Sequence, residues 1–211
     1  VRLLKHLEVK LKYIELIRML AYTGLTTFEM AMGALSVING ATAIRGRRRN
    51  QIIHTFIRNE DTGKNPGAYV GEPLNGFQEN IVSFDANSLY PNVMISLNIS
   101  PETKVGKIEE KTDKDVTIRH VNGKTFTLPM SNFIKFVHDE EIAISRANVL
   151  FTQKRKGVMP EILDEYYSKR VEIKKELTAL KHVYSKNKNK ATKVKIDQLD
   201  SKQLCIKIFI N

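Results

Sequence analysis

Ser83-Phe-Asp-Ala-Asn-Ser-Leu-Tyr-Pro-Asn92 is the stretch on which the reading of this chain turns. It extends an apolar run, Ile81-Val82, and sets a carboxylate, Asp85, where that run ends. A turn then leads from Asp85 into an apolar helix carrying Val93, Met94, Ile95 and Leu97. The expected local geometry is a strand over residues 80–85, a turn, and a helix. A carboxylate at a strand end is well placed to hold a hard divalent cation, which takes oxygen ligands and shares substrate phosphates. Backbone N–H groups at the following turn and helix start can meet a phosphate. The same residue types also suit a helix cap or a plain turn, and the residues alone leave that choice open.

Upstream, Leu3, Leu4, Leu7, Leu11, Ile14 and Ile17 recur every three to four positions, which predicts a helix stopped by Gly24. Thr26 or Thr27 can cap a second helix running through Phe28, Met30, Met32 and Leu35 to Ile38, with Asn39-Gly40 ending it. Arg45-Gly-Arg-Arg-Arg49 is a basic cluster, suited to a solvated loop or to a nucleic-acid backbone, ahead of the apolar pairs Ile52-Ile53 and Phe56-Ile57. Asp61-Thr-Gly-Lys-Asn-Pro-Gly67 is dense in turn formers and reads as a linker. Short strands follow at 68–70 and 80–85, joined through Asn75-Gly76. Residues 116–121 and 124–128 flank Asn122-Gly123, which predicts a hairpin with a two-residue type I′ turn. Gly157-Val-Met-Pro160 opens a third region, where proline suits a first helical turn. Ile162, Leu163, Tyr166, Tyr167, Val171, Ile173, Leu177 and Leu180 carry that helix to about Val183. A basic tip over 185–190 and a return helix from about Val194 complete an antiparallel helical hairpin.

The composition is ordinary for a globular chain: 211 residues, 42% hydrophobic and 27% charged, enough for one or two domains with a real core. No apolar run reaches the ~18 residues of a membrane-spanning helix, and the first residues, Val-Arg-Leu-Leu-Lys-His, lack the apolar core of a signal peptide. Cys205 stands alone, which excludes an internal disulfide framework and a cysteine-based zinc cage and suits a reducing compartment. The five histidines show no paired-ligand spacing. Tyr166-Tyr167 suit helix packing better than base stacking. Thirty-four basic against 23 acidic side chains give a net +11. The excess is uneven: residues 1–60 hold ten Lys/Arg against four Asp/Glu, 61–150 hold nine against twelve, and 151–211 hold fifteen against seven. Two basic blocks around an acidic centre favour a polyanionic partner.

Asp85-Ala-Asn-Ser-Leu-Tyr-Pro91 resembles the first polymerase motif of the family B DNA polymerases, D-x-x-S-L-Y-P. Further matches fall in the same order. Gly67-Ala-Tyr-Val-x-Glu-Pro73 and Asn98-Ile-Ser-Pro-Glu-Thr103 are similar to segments flanking that motif in T-even-type phage polymerases. Gly157-Val-Met-Pro160 looks like the start of the fingers, and Lys207-Ile-Phe-Ile-Asn211 like the opening of the second polymerase motif, K-x-x-x-N-S-x-Y-G. The resemblance implies an α+β architecture in three parts: a helical exonuclease-to-palm connection over 1–60, an N-terminal palm β segment over 61–156, and a fingers helical hairpin over 157–211. It also implies template-directed DNA synthesis from dNTPs on a primer-template, with Mg2+ as cofactor, in the cytoplasm of a phage-infected bacterial host. Asp85 would be a catalytic metal ligand, with the Ala86 carbonyl beside it. Ser88 and Leu89 would offer amides to the triphosphate, and Tyr90 would pack under the sugar and exclude a 2′-hydroxyl. Arg170, Lys174 and Lys207 would grip phosphates, and Asn211 belongs to the same nucleotide-binding set. Arg170 and Lys174 stand four apart, hence on one helical face.

The sequence holds no D-T-D motif, from which the family takes its second catalytic carboxylate. Val1 resembles the residue after the Asp of the last exonuclease motif, and Asn211 stands where the Ser of the second polymerase motif would follow. The expectation is one piece of a divided polymerase, with exonuclease, remaining palm and thumb supplied by partner pieces, or else a truncated product. The rival expectations are a non-catalytic basic module that binds nucleic acid through backbone charge alone, and an interaction fragment whose apolar surface awaits its missing halves.

Overall fold

Two hydrophobic cores organise the chain in the computed structural model, which describes residues 2–52 and 69–210. The expectations placed on Val1, Ile53, Phe56-Ile57, the linker over 61–67, Ala68 and Asn211 lie outside the described residues. The architecture is α+β, with helices around an antiparallel sheet.

The first core is helical. Helices α1 (Arg2–Leu11) and α2 (Tyr13–Gly24) stand in place of the single helix expected up to Gly24, because Lys12 takes a left-handed conformation, φ 53°, and breaks the run. After a short 3-10 turn over Met30–Met32, α3 spans Ala34–Arg48. That corrects two expectations. Asn39-Gly40 does not end a helix; α3 passes straight through it. The reason is packing: a Cβ at Gly40 would run into the Gly24 carbonyl, so Gly24 and Gly40 are the contact where α2 and α3 cross. The basic cluster 45–49 is likewise not a loop but the last turn of α3. Helices α6 (Val158–Lys186) and α7 (Lys190–Ile210) form the hairpin, several residues longer at the tip than the apolar spacing predicts. Leu20 and Ala21 of α2, Val37 of α3, Val158, Ile162 and Ile173 of α6, and Ile206 and Phe209 of α7 share one buried cluster. Each large apolar side chain so buried contributes about 1.5–3 kcal/mol.

The second core lies under a five-stranded sheet of order β3-β2-β1-β5-β4: β1 Lys104–Lys111, β2 Asp115–His120, β3 Thr125–Pro129, β4 Ile142–Ile144 and β5 Val149–Thr152. All pairings are antiparallel. In β2 the alternation is strict, with Val116 and Ile118 wholly buried while Arg119 faces out, as the two-residue period of a half-buried strand requires. Helix α5 (Met130–Asp139) closes the core through Phe133, against Ile108, Ile142 and Leu150. The β2–β3 hairpin is present, but its turn differs from the expected type I′. The His120 amide bonds the Lys124 carbonyl and the Gly123 amide bonds the His120 carbonyl, both at 2.9 Å. This is a three-residue loop in which Gly123 alone takes positive φ, 84°, while Asn122 does not.

The strands expected at 68–70 and 80–85 are absent among the described residues. Residues 69–86 carry no regular secondary structure, and Tyr69, Phe77, Ile81 and Phe84 are exposed, Phe84 at 92%. A strand needs a ladder partner, and this segment pairs with no strand of the five-stranded sheet.

Candidate functional site

Asp85 and Ala86 end this extended stretch on the surface. Asn87-Ser88 form the expected turn, held by the Asn92 side-chain amide donating to the Asn87 carbonyl at 2.9 Å. Ser88 takes φ 50°, and α4 (Leu89–Ser96) starts at the next residue. The Ser88 and Leu89 amides have no acceptor among the described residues, as the first turn of a helix leaves them. Asp85 is exposed and takes part in no hydrogen bond or ion pair among the described residues. Tyr90 projects outward at 71% exposure, so it is not a core aromatic, whereas Pro91 is buried.

Helix α4 packs against α6, and the loop after α4 roots that helix. Asn98, buried, donates through its side-chain nitrogen to the carbonyls of Thr152 (2.6 Å) and Arg155 (2.8 Å) and accepts the Gly157 amide (2.8 Å). The Thr103 hydroxyl donates to the Asn98 carbonyl. The Ser100 hydroxyl accepts the Met159 amide at 3.4 Å and donates to Glu102 at 2.7 Å. Glu102 accepts the Val158 amide at 2.5 Å, the first residue of α6. Burial works to raise the Glu102 pKa, but the Val158 amide, the Ser100 hydroxyl and Arg155 outweigh it and hold the carboxyl below the usual 4.5. The motif turn and the hairpin are therefore fastened by a buried polar joint. In the sequence, Asn98-Ile-Ser-Pro-Glu-Thr103 is similar to a segment flanking the first polymerase motif but does not reveal this role. The available signal was a Ser-x-x-Thr pair around Pro101, which forms a capping box in the structure.

On the hairpin, the Arg170 guanidinium donates to the Gln203 side-chain oxygen at 3.0 Å, and Lys207 stands one turn beyond Gln203 on α7. Lys174 lies one turn beyond Arg170 on α6. Among the described residues none of the three cations pairs with a carboxylate, whereas Lys169, Lys181 and Lys195 pair with Glu165, Asp200 and Glu176. The structure thus brings Arg170 and the Lys207 turn together across the hairpin. It does not gather Asp85 with them in one cavity. One groove, of about 720 Å³, lies between α2, α3, α6 and α7, and none of the expected site residues lines it. A shallower one on α6 includes Lys174 but not Asp85.

Half of the basic cluster is committed to structure. Arg45 bonds Glu161 at 2.8 Å and also Glu165, while Arg49 pairs with Glu161 and donates to the Lys156 carbonyl at 2.9 Å. Only Arg47 and Arg48 remain exposed without such partners among the described residues. Tyr166 packs edge-on against Phe209, ring centroids 4.6 Å apart, and its burial pushes its pKa up. Cys205 is buried, which raises its thiol pKa. No group of three or more His, Cys, Asp or Glu that could hold a metal occurs among the described residues. The donors at hand are a free carboxylate, Asp85, and the neighbouring Ala86 carbonyl. That set suits magnesium, which takes one or two carboxylates and fills its shell with water and substrate phosphates.

The sequence profile of DNA polymerase family B matches residues 37–211, which include the Asp85 turn, the polar joint and the hairpin. The chain belongs to that family. It is 28% identical over 138 residues to the DNA polymerase of fowlpox virus, covering 64% of this chain and 13% of that protein. It is 28% identical over 112 residues to the DNA-directed DNA polymerase of Escherichia phage RB69, 52% of this chain and 10% of that protein. It is 30% identical over 161 residues to the DNA polymerase delta catalytic subunit of Plasmodium falciparum, 76% of this chain and 12% of that protein. The aligned part thus spans about a tenth of the length of these relatives. No helix among the described residues is long and apolar enough to cross a membrane.

Proposed function

We propose that this chain is the part of a DNA-directed DNA polymerase that receives the incoming dNTP and holds one magnesium ion for template-directed nucleotidyl transfer. The observation behind the reading is the motif over residues 85–91, set on the turn that opens α4, with α4 packed against a hairpin whose cations Arg170, Lys174 and Lys207 lack carboxylate partners among the described residues. Residues 61–156 would then be the N-terminal palm segment, 157–211 the fingers, and 1–60 the connection to an exonuclease. The T-even-type phage polymerases are the subgroup that the flanking segments favour, with a bacterial host cytoplasm as the setting.

Asp85 and the Ala86 carbonyl would hold the magnesium. When bound, the ion offsets phosphate charge and eases loss of the primer hydroxyl proton. Arg170, Lys174 and Lys207 draw in and fix the triphosphate, because phosphoryl transfer rests mainly on positioning and charge stabilisation. The Ser88 and Leu89 amides donate to its oxygens, Asn211 would belong to the same nucleotide-binding set, and Tyr90 lies under the sugar. The primer 3′-hydroxyl attacks the α-phosphate and pyrophosphate leaves. A second catalytic carboxylate, the thumb and the remaining palm are not among residues 1–211, so these residues alone incorporate no nucleotide.

The test is Asp85→Ala in an assembly reconstituted with pieces that supply the second carboxylate, thumb and remaining palm. Synthesis falls by at least about 10²–10³ while primer-template affinity is unchanged. An unchanged synthesis rate refutes the reading and favours a basic module acting through charge alone.

A further inference from the structure

Helix α6 makes its contacts with α7 through residues such as Ile173 and Leu177, and its opposite face is turned to solvent. At 100° per residue, Val171, Lys175, Thr178, Ala179, His182 and Lys186 share that outer face, with Lys174 at its margin. Six of these seven, all but Lys186, line the shallow groove on α6. The tip continues the row, with Lys188 and Lys190 around Asn187 and Asn189, all exposed. Lys174 to Lys186 alone spans about 18 Å of helix.

The charge on this row is not neutralised. Lys174, Lys175, Lys186, Lys188 and Lys190 make no ion pair among the described residues, whereas Lys181, Lys193 and Lys195 are paired with Asp200, Asp197 and Glu176. The acidic residues of this half of α6, Glu172 and Glu176, fall on one flank of the row rather than in it. The row therefore carries unpaired cations, with the carboxylate of Glu172 along one side. A row of this kind fits one phosphate backbone. The two backbones of a duplex would bring the second against Glu172, whose carboxylate makes no ion pair among the described residues, whereas that of Glu176 is held by Lys195.

We propose that the outer face of α6 and the hairpin tip, from Lys175 to Lys190, form a track for single-stranded DNA, separate from the nucleotide-gripping face of Arg170 and Lys207. The identity of the strand, unpaired template, rests on the polymerase reading; the existence of the track does not. Lys and Asn side chains at the tip supply backbone contacts and amide hydrogen bonds, and the binding is carried by counterion release with little sequence preference.

The experiment is fluorescence anisotropy of dye-labelled oligo-dT with the 211-residue chain over a salt series. The wild type is compared with Lys175→Gln/Lys186→Gln/Lys188→Gln and with a charge-matched control, Lys5→Gln/Lys107→Gln/Lys124→Gln. Far-UV circular dichroism checks that each variant keeps its helicity. The track predicts that the first triple lowers the slope of log affinity against log salt by about 2, at roughly 0.7 per lost contact, while the control keeps the wild-type slope. Equal losses in both triples would show net charge alone and overturn the proposal. So would an unchanged first triple, or a wild type that prefers a duplex of the same length. None of these results bears on the synthesis lost in Asp85→Ala, so the track and the polymerase reading fail separately.

Discussion

Removing the charge of Glu102 tests the joint between the motif loop and α6. The carboxylate accepts the Val158 amide at the N-terminus of a 29-residue helix and is also held by the Ser100 hydroxyl. Glu102→Gln keeps the side-chain shape but turns a charge-assisted acceptor into a neutral one. Loss of that strength is worth about 1–1.5 kcal/mol, and the missing favourable interaction with the helix N-terminus adds about 0.3–1 kcal/mol. The expected cost at neutral pH is therefore about 1.3–2.5 kcal/mol. The sign of the pH dependence follows from the lowered pKa. A carboxyl held below 4.5 in the folded state stabilises the fold above the unfolded value, and that contribution disappears as pH falls through the folded value. Urea unfolding followed by circular dichroism, at neutral pH and at a series of pH values below 4.5, measures the gap between wild type and variant. The gap is full at neutral pH and closes on acidification. A cost under about 0.5 kcal/mol at neutral pH, or a gap that widens as pH falls, would refute the assignment of Glu102 as the ionised cap of α6.

Gly40→Ala forces a methyl into the Gly24 carbonyl and pushes α2 from α3; the loss is about 1–3 kcal/mol in chemical denaturation despite the better helix propensity of alanine. Leu150→Ala empties a wholly buried site beneath the sheet and costs about 2–5 kcal/mol by the same measurement. Arg45→Met removes a guanidinium already paired with Glu161 and Glu165, so the cost is about 1 kcal/mol or less; the salt dependence of DNA binding stays unchanged in anisotropy titrations. Cys205, buried with its thiol pKa raised, reacts with iodoacetamide only when the helical core opens; mass spectrometry across a urea series should show alkylation tracking unfolding.

The long, strongly periodic segments were legible from sequence. The α6 spacing from Ile162 to Leu180, opened by Pro160, gave the helical hairpin, and the run around Asn122-Gly123 gave β2 and β3. Short elements were not: β4 and β5 have three and four residues, too few for a period, and Phe133 and Phe136 of α5 fall between strands without a cap signal. Two local rules were overridden by tertiary contact. Gly40 reads as a helix stop but serves as a crossing point, and Ile81, Val82 and Phe84 read as a strand but find no ladder within this sheet. For the candidate site, the turn and helix after Asp85 follow from the apolar run at Val93, Met94, Ile95 and Leu97 behind it. The joint of Asn98, Ser100 and Glu102 was hidden because its partners lie more than fifty residues away. Arg45 and Arg49, which looked like free positive charge, are tied by Glu161 and Glu165 from a distant helix.

The length of α6 gives its root a mechanical meaning. Twenty-nine residues make a rod of about 43 Å, pinned at one end by the Asn98 side chain and the Glu102 cap. A tilt of only ~10° at that pivot would sweep the far end through roughly 7 Å. By that lever a displacement smaller than a bond length among Asn98, Gly157 and Val158 would reach the lysine-rich end enlarged, so a change in this joint would be felt most at the tip.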